Sequence, residues 1–365
     1  MTEPYLPKHL PLQDIHWVDL VEPIAKATGA VTRYDGMLQS IPNPVILLSP
    51  LQTQEAVLSS KIEGTQASME EVMEFEADPR KKVEPEKHAD IQEIINYRRA
   101  MGDAVLQLKE RPLCLNLLKS LHSVLLDSVR GQNKAPGEFR RIQNYIGPPG
   151  CSIEEASFVP PAPDKLMVGL DNWEKYAHQH EKSTLVQLAV LKAQFEILHP
   201  FLDGNGRIGR MLVPLFLYEK GVLSSPMFYL SAYFERNRDE YYYRLRSISQ
   251  KDDWNGWILF FLRAVEEQAF GNVAKTQKIL ALYDEMKQVL PSMIKSQYAI
   301  QVVDVLFTRP IFKISDFIAK SKINAANARR IVAELKRNDI LMEIRPAQGR
   351  QASILGFQKL LEIIT

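Results

Sequence analysis

The chain contains 365 residues, of which 45% are hydrophobic and 24% charged, and its formal net charge is +1. This near-average composition excludes a wholly disordered chain and a small disulfide-stapled scaffold, and it argues against a protein that coats polyanions with its whole surface. The two cysteines, Cys114 and Cys151, are too few for a disulfide framework, so we expect free thiols in a reducing compartment.

The N-terminal residues lack the basic, apolar and small-residue pattern of a secretory signal. No apolar run approaches the roughly 20 residues that cross a bilayer. We therefore expect a soluble cytoplasmic protein without a membrane partner. The first 48 residues are rich in proline and are predicted to form an irregular cap with one short helix around residues 14–28.

Helical patterns dominate from Ser49, which suits an N-cap and is followed by Pro50 at the first helical position. Gly64 predicts the end of this helix. The charged, proline-containing stretch 78–87 is predicted to be a solvated connection. Further helices are predicted over residues 88–107, 113–129, 164–176, 183–198, 207–220, 238–248 and 254–290.

Residues 144–163, NYIGPPGCSIEEASFVPPAP, interrupt the helices. Two short strand-like ends flank a loop that contains Gly and Pro, which favours a β-hairpin or flap in an otherwise helical protein. A plain surface loop is the alternative.

The segment 296–365 has a different pattern, in which three short helical stretches precede the alternating pair LMEIRP and ASILGF. This is the order of a winged helix-turn-helix. The segment carries eleven Lys and Arg against six Asp and Glu, which suits contacts to DNA phosphates, although many such modules dimerise or bind proteins instead. The candidate DNA contacts are Arg329, Arg330, Lys336 and Arg337 on the predicted recognition helix 324–337, and Arg345 and Arg350 near the wing.

These patterns divide the chain into four predicted parts. They are an N-terminal cap and helix region over 1–108, a helical core over 109–250, a helical linker over 251–295 and the C-terminal module over 296–365.

The most specific string is HPFLDGNGRIGR, residues 199–210. The proline after His199 pushes that residue out of the α region, so a helix must end there with the imidazole at its edge. The following tight turn opens into a helix whose N-terminus offers unpaired N–H groups and partial positive charge. Arg207 and Arg210 add two guanidinium groups on one face. The expected ligand of this anion hole is a polyphosphate.

Two further side chains complete the chemistry of the string. Asp203 places a hard oxygen at the mouth of the anion hole, where one carboxylate suffices for Mg²⁺ because the phosphates supply other ligands. His199 has an ordinary pKa of about 6.5 and is matched to take a proton from an attacking hydroxyl at neutral pH. A lone histidine at a helix end is usually only a cap; it is the combination that indicates a site.

The twelve residues resemble, without departure, the signature of the Fic family, His-Pro-Phe-x-Asp-Gly-Asn-Gly-Arg-x-x-Arg. The likeness extends less sharply over the helices of residues 113–248. It implies a mainly α fold, in which a Fic-type helical bundle carries a β-hairpin flap and is followed by the winged helix-turn-helix. By the same resemblance, 144–163 would be the flap on which a protein target docks as an added strand, with Ile146, Pro148 and Pro149 as candidate contacts.

The resemblance also implies an activity, the transfer of AMP from ATP to a Ser, Thr or Tyr hydroxyl of a protein, including the chain itself. His199 would be the catalytic base, and Asp203 would hold Mg²⁺. Asn237, Tyr241 and Tyr242 would lie near adenine and ribose by position only, and packing in the core explains the two tyrosines equally well. The family places the remaining nucleotide contacts at Gly204, Asn205, Gly206, Arg207, Gly209 and Arg210.

A second string, SSKIEG over residues 59–64, ends the helix from Ser49 on a glutamate. A carboxylate there faces the negative end of the helix macrodipole, and such a violation often marks a functional site. A solvated Glu63 is the plain alternative. The string resembles the inhibitory motif of Fic proteins, Ser/Thr-x-x-x-Glu-Gly/Asn. Ser59, Glu63 and Gly64 would then be inhibitory, with Glu63 paired to Arg210 in the space that the γ-phosphate needs.

Two other functions stay open at this level. One is a DNA-binding regulator whose core senses ATP. The other is a hydrolase on the same fold that removes AMP from a modified protein, with Glu63 positioning water. Helical surfaces on the N-terminal and C-terminal parts favour a homodimer.

Overall fold

The computed structural model describes residues 3–41, 43–127, 132–148, 150–348 and 352–365. Pro149 and Arg350, two of the predicted contacts, lie outside these ranges. The predicted mainly α fold is confirmed. The helices are α1 (Trp17–Ser40), α2 (Pro44–Leu47), α3 (Ser49–Ile62), α4 (Met69–Ala77), α5 (Pro85–Gln107), α6 (Leu115–Leu125), α7 (Pro163–His178), α8 (Thr184–Leu198), α9 (Asn205–Glu219), α10 (Ser231–Arg236), α11 (Arg238–Lys251), α12 (Trp254–Ile294), α13 (Ala299–Thr308), α14 (Ile314–Ser321), α15 (Ala325–Arg337) and α16 (Gln358–Ile364). The strands are β1 (Ile311–Lys313), β2 (Met342–Arg345) and β3 (Ile354–Gly356).

The chain forms two compact units, each assembled from separate stretches of sequence. The first unit contains Met1–Gln39, Leu58–Gly64 and Ile95–Phe270. The second unit contains Ser40–Val57, Thr65–Ile94 and Gly271–Thr365. The chain therefore crosses from one unit to the other within α3, α5 and α12, and the sequence-based division at residues 108, 250 and 295 stays a prediction.

Helices α8 and α9 form the centre of the first unit, where almost every side chain of both is buried. They pack against each other, while α7 packs on α8 and α6 on α9. Two buried tryptophans fix α8 further, since the indole N–H groups of Trp173 and Trp257 donate to the carbonyls of Leu191 and Ala189 at 2.8 Å. The predicted catalytic string begins in the loop between α8 and α9 and continues into the first turns of α9, so it stands on this buried pair of helices.

The N-terminal region is more regular than predicted. Helix α1 continues to Ser40 instead of ending near residue 28, because its buried stripe runs on through Val31, Tyr34 and Leu38. The helix predicted from Ser49 is confirmed as α3. It ends as expected, with Gly64 at φ +105°, a backbone angle that favours glycine.

The predicted flap is a loop rather than a regular hairpin. A single antiparallel bridge joins Ile146 to Phe158, and a 3₁₀ turn, Ile153–Glu155, lies between them. Ladder pairing stops on the second arm where Pro160 and Pro161 follow, because proline has no N–H to donate. The backbone of Val159 is instead paired with the N-terminal segment, through the N–H of Tyr5 at 2.9 Å.

The second unit contains the C-terminal module in the predicted order of three helices and a hairpin, with one strand, β1, and one C-terminal helix, α16, added. This strand, β1, pairs antiparallel with β3, which also pairs with β2, so the sheet order is β1-β3-β2. Helix α4 of the N-terminal region packs against β1. The sequence analysis missed β1 because three residues are too short for a period-2 pattern.

One end of the predicted solvated connection 78–87 is buried. Asp78 is 4% exposed, and its carboxylate is paired with Lys313, at 2.5 Å, and with Arg345. Burial would raise the pKa of Asp78, but the two cations lower it overall. Arg345, predicted to contact DNA, is thus engaged in an ion pair within the chain.

We predict that Asp78→Asn destabilises the second unit by about 2 kcal/mol at neutral pH, because two largely buried cations lose their anion. The thermal midpoint of that transition should fall by roughly 5 °C, with Glu84→Gln on the exposed connection as control. The difference from wild type should shrink as the pH falls below about 4, since protonation removes the same charge. Equal midpoints for the two variants would contradict this account.

Candidate active site

His199 lies at the C-terminal end of α8 in the left-handed region, with φ 45°. Arg140, which is 3% exposed, holds this turn in place. Its guanidinium donates to the carbonyls of His199 at 2.9 Å, Leu198 at 3.3 Å and Pro161 at 2.5 Å. Burial lowers the pKa of Arg140 to about 10, which still leaves it charged at neutral pH. Sequence reasoning missed Arg140, because no motif includes it.

The ring of His199 is prepared to accept a proton. Its Nδ1 lies 3.3 Å from the carbonyl oxygen of Glu196, and because a carbonyl only accepts, Nδ1 carries the hydrogen and Nε2 the lone pair. Burial lowers the pKa of His199, and the negative charges of Glu196 and Glu63 offset only part of that effect. The imidazole is therefore neutral at neutral pH, as a general base requires.

His122 supports the catalytic loop from α6 and was also missed. Its ring stacks on Phe201 with the centroids 3.8 Å apart. Nδ1 accepts the N–H of Gly137 at 2.8 Å, so Nε2 carries the hydrogen and donates to the carbonyl of Asp203 at 3.0 Å. Burial lowers the pKa of His122 to about 4, which keeps this pattern fixed.

Asn205 and Gly204 shape the turn. The side chain of Asn205 is occupied by the backbone of Phe201, accepting from its N–H at 2.8 Å and donating to its carbonyl at 2.9 Å. Its predicted role as a phosphate ligand is therefore restricted to its backbone. Gly204 adopts φ +79° as the N-cap of α9, a conformation that a β-carbon would strain.

Glu63 occupies the predicted anion hole at the N-terminus of α9. A β-carbon on Gly206 would collide with Oε1 of Glu63, so the carboxylate lies directly against this glycine. The same oxygen accepts from Arg210 at 2.6 Å. Burial would raise the pKa of Glu63, but the charge and hydrogen bond of Arg210, and the charge of Arg207, lower it overall. Glu63 is thus ionised and bound as an anion.

Arg210 is 2% exposed, and it is hydrogen-bonded to Ser59 of α3 as well as to Glu63. Nε donates to the hydroxyl of Ser59 and Nη2 to its carbonyl, both at 2.8 Å. The first and fifth positions of the predicted inhibitory motif therefore meet the last residue of the catalytic string.

Asp203 and Arg207 form an ion pair at 3.1 Å at the mouth of the site. The Asp203 side chain is 46% exposed, and its Oδ1 also accepts the N–H of Gly204. No group of three or more His, Cys, Asp and Glu side chains suited to a metal occurs in the described part of the chain. A single accessible carboxylate fits a Mg²⁺ ion whose other ligands are phosphates and water.

Gly209 does not face the anion hole. A β-carbon there would collide with the carboxylate of Glu196, so this glycine allows α8 and α9 to approach. Glu196 pairs with Lys192 at 3.0 Å, and the fully buried Lys192 amine donates to the Tyr241 hydroxyl at 2.9 Å. Tyr241 is accordingly a core residue, the plainer of its two interpretations.

Asn237 and Tyr242 flank the start of α11. The side-chain amide of Asn237 donates to the carbonyl of Tyr233 at 2.9 Å. Tyr242 is 37% exposed, and burial together with the charge of Glu63 raises its pKa to about 12. An adenine contact by either residue stays a prediction.

Most of the described cations that were predicted to contact DNA have partners within the second unit. Arg330 donates to the carbonyl of Ile294, Lys336 pairs with Glu343, and Arg337 pairs with Glu334. Three exposed cations around the start of α15 make no ion pair with any described residue: Lys320, Lys322 and Arg329.

Among the residues that the structure covers, none of the helices combines the length and apolarity needed to span a bilayer.

Comparison with known proteins gives two family matches. The sequence model of the Fic/DOC family N-terminal region matches residues 21–106, and that of the Fic/DOC family matches residues 112–217. Together they cover more than half of the chain. A protein adenylyltransferase Fic from Drosophila yakuba is 30% identical over 169 residues, which are 44% of this chain and 28% of that protein. The corresponding protein of Drosophila melanogaster is 29% identical over 169 residues, 44% of this chain and 29% of its own length.

Solved structures show the same fold. A Fic family protein from Desulfovibrio desulfuricans aligns with a TM-score of 0.60 at 16% identity, covering 97% of this chain and 98% of that one. A Fic domain containing signaling protein from Bacteroides thetaiotaomicron aligns at 0.54 and 18% identity, over 70% and 96%. Fic-1 from C. elegans aligns at 0.53 and 17% identity, over 71% and 75%.

The neutral, buried His122 predicts a pH-dependent stability of the first unit. Its folded pKa of about 4 lies below the ordinary value of 6.5, so the unfolded chain takes up the proton first and stability falls as the pH drops through this interval. Between about pH 7 and about pH 5 this group should account for a loss of about 2 kcal/mol.

Urea unfolding of His122→Ala at both pH values tests this, with His180→Ala, at an exposed histidine, as control. His122→Ala should be less stable at neutral pH and lose less stability on acidification than wild type. An unchanged pH dependence in His122→Ala would contradict the assignment.

Proposed function

The chain belongs to the Fic/DOC family, and from this premise we propose that it transfers AMP from ATP to a hydroxyl group of a protein and that Glu63 inhibits the transfer. The observation that carries the proposal is the position of the Glu63 carboxylate, which lies against Gly206 and Arg210 in the anion hole. The names of the adenylyltransferase relatives and the complete catalytic string support the chemistry.

In the proposed reaction, Nε2 of His199 takes the proton of the target hydroxyl, and the oxygen of that hydroxyl bonds to the α-phosphorus of ATP. The bond from that phosphorus to the β-phosphate bridging oxygen breaks, and pyrophosphate leaves. The N-terminus of α9 and the guanidinium groups of Arg207 and Arg210 bind the outer phosphates and stabilise the developing charge. Asp203 would hold Mg²⁺, which when bound neutralises phosphate charge. The catalytic contribution of this chain is thus mainly positioning and electrostatics.

Inhibition follows because Glu63 and the γ-phosphate of ATP compete for the same binding site. Glu63 and a γ-phosphate are both anions that suit Arg210 and the N–H groups at the start of α9. Both cannot lie against Gly206 at once. While Glu63 is bound, ATP would have to adopt a pose in which its outer phosphates are displaced, and attack at the α-phosphorus would be out of line.

The proposed target docks beside His199 on the 144–163 loop. Ile146 is 39% exposed and Tyr145 42%, and among the described residues of the loop a single bridge, from Ile146 to Phe158, pairs this arm. Main-chain pairing to such an edge demands little of the target sequence. The alternative role in DNA binding would depend on Lys320, Lys322 and Arg329, which lie around the start of α15, since the start of a recognition helix is the part that enters the major groove. The proposal also includes the formation of a homodimer by two copies of this chain.

We predict that Glu63→Gly raises incorporation of radioactive AMP into protein, including the chain itself, by at least about tenfold, because removing the carboxylate frees the buried guanidinium of Arg210 for the γ-phosphate. His199→Ala in the same background should abolish the signal. Glu110→Gly, at an exposed turn of the first unit, is the matched control and should leave the rate unchanged.

Equal labelling by wild type and Glu63→Gly would contradict inhibition, and absence of labelling in Glu63→Gly would contradict the transferase. Release of AMP from a labelled protein by wild type, lost in Glu63→Gly, would favour the hydrolase instead.

A further inference from the structure

The last turn of α3 is held by a second set of contacts that the inhibitory motif does not include. Nη2 of Arg238, the first residue of α11, donates to the carbonyl of Ile62 at 2.7 Å. Beside it, Lys61 pairs with Glu235 of α10 at 3.3 Å. Lys61 and Ile62 occupy variable positions of the motif, so its pattern gives no sign of these contacts.

The charges at these two helix ends are each unfavourable in isolation. Glu63 follows the C-terminus of α3, where the macrodipole is negative, and Arg238 begins α11, where the macrodipole is positive. The contact between Arg238 and the Ile62 carbonyl explains why both charges are tolerated. Arg238 donates to a carbonyl that has no partner within its helix, and its positive charge opposes the negative end that Glu63 must tolerate.

The contact fixes the residue that matters for inhibition. The carbonyl of Ile62 and the N–H of Glu63 belong to one planar peptide group. That N–H in turn donates to the carbonyl of Ser60 at 3.0 Å. Restraining the Ile62 oxygen therefore restrains the start of Glu63, whose side chain then has few torsions left to reach Gly206 and Arg210.

We propose that Arg238 is a positioning residue for inhibition, which holds the α3 terminus so that Glu63 stays in the anion hole. The inference rests on the proposed function for its effect on activity. Arg238 acts through Glu63 and not on the reacting atoms. Its removal should therefore activate the protein only when Glu63 is present.

The test measures initial rates of AMP incorporation from labelled ATP in Arg238→Ala, Arg238→Lys, Glu63→Gly and the double variant Glu63→Gly/Arg238→Ala. Arg238→Ala should raise the rate roughly tenfold, equivalent to about 1.4 kcal/mol. Arg238→Lys keeps a donor and a cation and should stay near wild type. The double variant should match Glu63→Gly. Arg246→Ala, at an exposed position of the same helix, is the control and should have no effect.

If Arg238 had a merely structural role, Arg238→Ala would slow the rate or leave it unchanged, or it would change the rate of Glu63→Gly by the same factor as that of wild type. Either result overturns the proposal. If Glu63→Gly shows no transfer, the proposed function fails, and amide hydrogen exchange over residues 59–64 decides about Arg238 independently. Exchange there should be faster in Arg238→Ala and unchanged in Arg246→Ala. Equal protection in all three proteins overturns the positioning role.

Discussion

The contact between Arg210 and Glu63 is the interaction on which the site depends. A guanidinium that is only 2% exposed is strongly destabilised without an anion. Glu63 supplies that anion in this structure, and a phosphate of the nucleotide is the natural replacement. Because the carboxylate also lies against Gly206, the exchange concerns both the charge and the space at the start of α9. In the proposed function, inhibition and substrate binding are thus alternative ways to meet the same electrostatic requirement.

The exchange can be selective only if the surrounding loop is rigid, and three buried polar side chains provide that rigidity. Arg140 binds the carbonyls around His199, His122 binds that of Asp203, and Asn205 binds the backbone of Phe201. Each converts a backbone group that would otherwise be unsatisfied in the interior into a fixed point. We therefore expect the loop to keep its conformation when a phosphate replaces Glu63.

The sequence predicted the parts of the site that local rules determine. Proline after His199, glycine at the turn and two arginines three residues apart each have a local physical meaning, and the motif around Glu63 indicated its partner. Arg140, His122 and Arg238 were not predictable, because each acts on a backbone carbonyl distant in sequence and none belongs to a motif. The same limit applies to charge: counting basic residues in 296–365 gave no sign that Arg345 pairs with Asp78. The flap was predicted as a hairpin because its strand-like residues are visible in the sequence. Whether such residues pair depends on the residues of the opposite arm, and pairing is lost beside Pro160 and Pro161.

Competition between Glu63 and the γ-phosphate is measured most directly by calorimetric binding of ATP and of AMP to wild type and to Glu63→Gly, with Mg²⁺ present. AMP lacks the outer phosphates that compete with Glu63, so the substitution should tighten ATP binding by roughly tenfold, about 1.4 kcal/mol, and leave AMP binding nearly unchanged. An equal change for the two nucleotides, or none for ATP, would contradict competition between Glu63 and the γ-phosphate.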